Sequence, residues 1–156
     1  MNESAKASGD VVMIFMADDD EDDCLLFVDV LQEASFKSNL KCFSNGSQLI
    51  DHMKNINNEA NFPHLLFLDL NMPIKNGLDS LAEIRAYAAF SNIPIIVYST
   101  SAQREAVETA FENGANLFVK KPDSFGKLKI LLEKIMERYI TSKLLKPDKS
   151  DFFIDL

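Results

Sequence analysis

The stretch from His64 to Gly77 constrains the fold more than any other part of the chain. It opens as a short apolar run, Leu65 to Leu68, with Pro63 before it and Pro73 after it. A run of that length reads as a strand buried on both faces, the pattern of a parallel sheet. Asp69 is its first charge and falls at its C-terminal end. In open parallel α/β sheets, ligands bind just beyond the carboxyl ends of the strands. Asp69 is therefore either a carboxylate presented at an active edge or part of a strand-terminating turn, since Asp, Asn, Pro and Gly all favour turns.

The remaining apolar segments supply the context. Val11 to Ala17 reads as a first buried strand and runs into six consecutive acids, Asp18 to Asp23. A helix follows, carrying Leu25, Leu26, Val28 and Leu31. The later acids suit a helix N-terminus, which attracts negative charge. That account does not cover Asp18 and Asp19, which sit at the strand end. Two carboxylates there repel one another, and a bound cation would remove the cost. Leu40 to Ser44 reads as a second strand, with Asn45-Gly46-Ser47 as turn and cap, and Leu49, Ile50, Met53 and Ile56 recur at helical spacing. After the central strand, Leu78, Leu81, Ile84 and Tyr87 mark a third helix. Ile93 to Tyr98 is a strand ending in Ser99-Thr100-Ser101. A helix carrying Ala106, Val107, Ala110 and Phe111 stops at Asn113-Gly114. Leu117 to Lys121 is a fifth strand closed by Pro122. Leu128, Leu131, Leu132, Ile135, Met136, Tyr139 and Ile140 then form one stripe of a last helix.

Five strand–helix repeats imply a parallel sheet covered on both faces. The natural arrangement is a doubly wound sheet of order 2-1-3-4-5, whose switch point between strands 1 and 3 puts Asp18 and Asp19 beside Asp69. Composition agrees. The chain is 47% apolar and 26% charged, a globular balance, and its 156 residues suit one domain. A net charge of −8 argues against nucleic acid or an anionic membrane as direct partner. No apolar run approaches spanning length, and the opening residues lack the apolar segment of a secretory signal, so a cytoplasmic protein is expected. Cys24 and Cys42 fit no metal or redox spacing and are expected to be reduced core residues. His52 and His64 have no ligand cluster and read as structural or surface residues.

One sheet edge thus collects an acid pair, Asp69, Ser99 and Lys121. Taken singly, Ser99 could be a helix cap and Lys121 a solvated lysine. Together they suit phosphoryl chemistry. Mg2+ takes oxygen ligands, usually one or two carboxylates with several waters, and Asp19 and Asp69 could supply them. A carboxylate can attack phosphorus to form an acyl phosphate. The rest of the catalysis is positioning and charge neutralisation, for which the Lys121 ammonium and the Ser99 hydroxyl are placed.

Four segments carry a family resemblance: residues 16–20 (Met-Ala-Asp-Asp-Asp), 68–73 (Leu-Asp-Leu-Asn-Met-Pro), 97–100 (Val-Tyr-Ser-Thr) and 118–122 (Phe-Val-Lys-Lys-Pro). In this order and at these strand ends they resemble the receiver domain of two-component response regulators, the CheY-like, flavodoxin-like α/β fold, over roughly residues 11–140. The resemblance implies a bacterial-type phosphorelay component, a signalling domain without a separate substrate. Asp69 would accept phosphate from a phosphohistidine on a sensor histidine kinase or histidine phosphotransfer protein. Asp19 would bind Mg2+ directly, Asp18 through water, and Asn71 by its backbone carbonyl. Lys121 is favoured over its neighbour Lys120 by family position, and the bond to Pro122 is typically cis in the family. The switch pair would be Ser99 and Phe118, with Ser99 moving toward the phosphate and Phe118 rotating inward. Phe118 stands where many members carry Tyr, so no outward hydroxyl bond is available. Asn71 and Ser101 would tune the phosphoryl lifetime. The downstream target is open, and a homodimer is possible.

Three other readings fit parts of the pattern. Asp18, Asp20 and Asp22 alternate as in a calcium loop, but Asp23 stands where an EF-hand needs Gly, and the twelfth position, Asp29, is not the bidentate Glu. A phosphohydrolase of the haloacid-dehalogenase type needs a second Asp two residues after its nucleophile, where this chain has Asn71, which does no proton work. A pseudo-receiver, an interaction module that never takes phosphate, remains the alternative, although its usual mark is a missing acid or lysine. The expected organisation is a flexible segment 1–10, a receiver domain 11–143, and an apolar tail 144–156 with no output domain. Phe152, Phe153 and Ile154 in that tail either fold back onto their own domain or dock on a partner or second subunit.

Overall fold

In a computed structural model of the chain, the described residues are 10–156. The segment 1–10 expected to be flexible lies, apart from Asp10, outside them. The elements run β1 (Val11–Ala17), α1 (Glu21–Glu33), β2 (Lys37–Phe43), α2 (Gly46–Lys54), β3 (Leu65–Leu68), α3 (Gly77–Arg85), β4 (Ile95–Ser99), α4 (Arg104–Glu112), β5 (Leu117–Lys120), α5 (Phe125–Ile140) and β6 (Phe153–Ile154). The sheet order is β2-β1-β3-β4-β5-β6 and every pairing is parallel. The expected 2-1-3-4-5 order is present, with one short strand added at the β5 edge.

Period-two alternation sorts the strands into two cores. Phe15, Ala17, Leu66, Leu68, Ile95, Val97 and Phe118 face α2, α3 and α4. Val12, Ile14, Met16, Leu65, Phe67, Ile96, Tyr98, Leu117 and Val119 face α1 and α5. Side-chain caps begin four of the helices: Asp20 for α1, Asn45 for α2, Asn76 for α3 and Ser124 for α5. Gly114, at φ 93°, takes the left-handed turn after α4 that the Asn113-Gly114 pair signals.

Several boundaries differ from expectation for local reasons. β2 begins at Lys37, three residues early, because an edge strand with one wet face shows no continuous apolar run. β4 begins at Ile95, since Pro94 has no N–H to give the ladder. Tyr87 lies beyond α3, which ends at Arg85. In α1 the core side is Phe27, Val30 and Leu31, while Leu25 is 61% exposed. The Lys121–Pro122 bond is trans, since no cis peptide occurs among the described residues. Trans is the ordinary preference of an X–Pro bond by roughly 0.5–1 kcal/mol, and Lys121 reaches the acids in that form.

The cysteine expectation is corrected. Cys24 and Cys42 form a disulfide, with Cα atoms 6.6 Å apart, and neither is a core residue: Cys42 is exposed and Cys24 half-buried. Cys42 pairs in register with Met16, whose side chain faces α1. The β1-α1-β2 crossover therefore brings the two sulfurs together at the rim of the sheet. Motif spacing reads only local neighbours and misses such a pair. No helix among the described residues is long and apolar enough to cross a membrane.

The tail packs on its own domain. Leu144 and Phe152 are each 1% exposed, and Phe153 and Ile154 pair with Phe118 and Val119 of β5.

Candidate functional site

Each site residue is set by the end of a strand. Asp18 follows β1, and its N–H donates to the Phe43 carbonyl at 2.9 Å; Asp69 follows β3, and its N–H donates to the Ala17 carbonyl at 2.9 Å. Lys121 follows β5, and its N–H donates to the Ser99 carbonyl at 2.8 Å. These bonds carry the parallel ladders one residue past the strands, so the three side chains stand on a rigid edge.

One ligand-type oxygen from each of Asp18, Asp19 and Asp69 can be chosen so that all three lie within 4.8 Å of one another. Asp18 and Asp69 are buried and Asp19 is exposed, so the cluster opens to solvent on one side. Asp18 Oδ1 accepts from the Asp20 N–H at 2.9 Å, and Asp69 Oδ1 from the Asn71 N–H at 3.4 Å. The Lys121 ammonium, its side chain 9% exposed, donates to Asp18 Oδ2 at 2.9 Å and Asp23 Oδ2 at 2.7 Å, and lies 3.7 Å from Asp69 Oδ1. It also stands 5.3 Å from the centre of the Tyr98 ring, a cation–π distance. Lys120, the neighbouring candidate, is exposed.

Burial is the main electrostatic influence. It pushes Asp18 up to about 6, against the Asp20 N–H and Lys121, which favour the ionised form, and with the Asp69 charge adding to the rise. Asp69 is also raised, by burial first and by Asp19 as like charge, while Lys121 pulls the other way. Burial alone would lower Lys121, but its bonds to Asp23 and Asp18 outweigh that and its pKa is raised. The site is thus a carboxylate cluster with more negative charge than one ammonium neutralises. All its donors are oxygen and no Cys or His belongs to it, which fits a hard divalent cation.

Two glycines are held close to neighbouring residues, Gly77 against the backbone of Asp69 and Gly46 against Ser80. The N–H of Gly77 donates to the Leu70 carbonyl at 2.9 Å, and a Cβ there would stand 2.2 Å from the Asp69 carbonyl oxygen. At Gly46 a Cβ would meet the Ser80 hydroxyl at 1.9 Å. Ser99 is fully buried, and its Oγ accepts from the Ser101 N–H at 3.2 Å. Asn71 and Ser101 are exposed at the mouth. Phe118 is 0% exposed, and its ring stands 5.9 Å from that of Phe153 in the tail.

Asp23 is the site residue that sequence reading missed, having been assigned to the helix dipole. A signal existed. With Asp20 as N-cap, Asp23 is the third helical residue, whose side chain reaches back toward the preceding strand end.

Comparison with known proteins agrees with this fold. The model of the response regulator receiver domain matches residues 14–133. The probable methanogenesis regulatory protein FilR2 of Methanothrix harundinacea is 25% identical over 140 residues, covering 85% of this chain and 90% of the relative. The chain spans about half, 54%, of the CheY-3 chemotaxis proteins of Vibrio cholerae that it also matches. The phosphorylated cyanobacterial phytochrome response regulator RcpA superposes with a TM-score of 0.74 at 25% identity, over 84% of this chain and 95% of that one. The Mn(2+)-bound form of response regulator Rcp1 gives 0.73 at 25% identity, over 87% and 99%.

Proposed function

The chain belongs to the response regulator receiver domain family, a signalling domain and not a classical enzyme, and from that premise we propose that it accepts a phosphoryl group on Asp69. The donor would be a phosphohistidine of a sensor kinase or histidine phosphotransfer protein. A carboxylate oxygen of Asp69 forms the new O–P bond as the P–N bond breaks, and the imidazole leaves with the electron pair and takes a proton. The observation that carries this reading is the convergence of Asp18, Asp19, Asp69 and Lys121 at one sheet edge.

Mg2+, when bound, supplies charge neutralisation at the phosphoryl oxygens. Asp19 and Asp69 would hold it directly, Asp18 through water and Asn71 by its carbonyl. Lys121 exchanges part of its contact with Asp18 and Asp23 for a phosphoryl oxygen, and the Ser99 hydroxyl donates to another. Asn71 and Ser101, small, polar and at the mouth, would set water access and so the lifetime of the acyl phosphate. The Mn-bound relative supports a divalent cation as the resident ion.

The test is incubation with acetyl phosphate or phosphoramidate, with and without Mg2+, followed by intact-mass measurement, with Asp69→Asn in parallel. A Mg2+-dependent gain of one phosphoryl group, lost in the variant, is expected. No gain under any condition would leave the interaction-only module as the better reading. Gain in Asp69→Asn would assign the wrong nucleophile.

A further inference from the structure

The tail is joined to the one residue of the proposed switch that it can reach. The Phe118 N–H donates to the Phe152 carbonyl at 2.8 Å. The rings of Phe118 and Phe153 stand 5.9 Å apart, and those of Phe111 and Phe152 5.1 Å apart. Phe152 lies in the same core as Phe118, Val97 and α4. Beside it, a groove of about 390 Å³ is lined by Ala102, Val107, Phe111, Phe152 and Phe153. Upstream, the Arg138 guanidinium donates to the Asp151 carbonyl at 3.0 Å. The last part of the chain therefore adds a strand to the β5 edge, held by backbone bonds and by aromatic side chains on one face.

We infer that the β5 edge and the groove beside α4 form a strand-accepting surface, occupied by this chain's own residues 152–154 and vacated when Phe118 moves. This rests on the proposed phosphorylation at Asp69. Ser99 and Phe118 share the sheet face under α4: Val97, two residues before Ser99, is the register partner of Phe118. Phe118 is fully buried in a close-packed interior, so it cannot shift without displacing a neighbour. Of the elements packed on it, β6 is the shortest, with two residues of ladder, and its Phe153 is 40% exposed, while Phe152 just before it is buried. β6 is the element that yields. Once free, the β5 edge has unpaired backbone groups that suit an extended segment. By linkage, whatever holds the tail down opposes phosphorylation by the same factor.

The Phe118 amide reports tail docking directly, because its hydrogen-bond acceptor belongs to the tail. Amide hydrogen exchange on the full chain reads it, with the Leu66 amide, bonded to the Pro94 carbonyl inside the sheet, as reference. In the unphosphorylated chain, Phe153→Ala should speed Phe118 exchange by about tenfold or more and leave Leu66 unchanged. A peptide of residues 149–156 added in excess should then restore protection. Phosphorylated wild-type chain, verified by intact mass, should show the same selective acceleration. Unchanged Phe118 exchange in Phe153→Ala overturns the surface, and unchanged exchange in a chain carrying the phosphoryl group overturns the coupling to Phe118. Failure of the mass gain itself refutes the Asp69 reading, while the Phe153→Ala arm still decides whether the tail occupies the β5 edge as described.

Discussion

Replacing Gly77 with Ala should disturb the site from beneath without touching any acid. A Cβ at 77 would stand 2.2 Å from the Asp69 carbonyl oxygen, 2.7 Å from Leu70 Cα and 2.9 Å from the Asp69 carbonyl carbon. Ordinary contact begins at 3.4 Å, so the start of α3 and the 69–70 backbone must part by about 1.2 Å, and overpacking of this kind costs roughly 1–3 kcal/mol. Every atom met is backbone, which no rotamer change can move, so the upper part of that range applies. Alanine's helical preference returns at most about 1 kcal/mol. The net loss is about 2 kcal/mol, and with a urea slope of about 2 kcal/mol/M the midpoint should fall by about 1 M. A divalent cation such as Mg2+ demands oxygen positions fixed to a few tenths of an ångström, so metal affinity should fall as well. Gly126, in the first turn of α5, is the control. A Cβ there meets nothing within 4 Å, and Gly126→Ala should raise stability by roughly 0.5–1 kcal/mol. If Gly77→Ala unfolds at the wild-type urea concentration while Gly126→Ala shifts as stated, the argument from close backbone approach is wrong.

Three further outcomes are expected. Lys121→Met removes the only ammonium bonded to Asp18 and Asp23 among the described residues, and loss of a buried partner costs about 3–5 kcal/mol. Thermal unfolding in EDTA should show this loss, and added Mg2+ should recover more stability in the variant than in wild type; equal unfolding in EDTA would refute the ion-cluster reading. Reduction of the Cys24–Cys42 bridge, or Cys42→Ser, releases a loop with a sequence separation of 18. Urea unfolding with and without dithiothreitol should differ by about 3 kcal/mol on the loop-entropy account, and coincident curves would refute the bridge. His64 is lowered by burial, and its Nδ1 accepts from the Met13 N–H at 2.8 Å, so folding favours the neutral ring. Its contribution is complete above pH 6.5 and declines as pH falls toward the depressed folded-state value. The urea midpoint should therefore drop less between pH 7 and pH 5.5 in His64→Gln than in wild type, about the range of His titration; equal slopes would refute it.

Arg85 shows how far structure exceeds motif. Arg85 is half-buried, and its guanidinium donates to the carbonyls of Gly114, Phe90 and Ile93 and to Asn116 Oδ1, at 2.8–2.9 Å. Asn116 Oδ1 also accepts from the Ile95 N–H, and Asn116 Nδ2 donates to the Leu144 carbonyl. One cation thus ties α3 to the start of β4, the turn after α4 and, through Asn116, the segment after α5. In the sequence it was an ordinary arginine ending a helix, because an arginine's partners are revealed only when the chain is folded.

The sequence by itself determined the five repeats, the 2-1-3-4-5 order and the edge at which Asp18, Asp19, Asp69, Ser99 and Lys121 meet. Those properties are local: a period of two or 3.6 is written within a dozen residues, and a strand's first charge marks its end. Only the tertiary structure decided that Asp23 joins Lys121 across 98 positions, that Cys24 meets Cys42, that Gly77 lies against the Asp69 backbone, and that Phe153 lies against Phe118. Each of those depends on the rotation of one element against another. That rotation is settled by the packing of two whole cores, and no short window of sequence contains it.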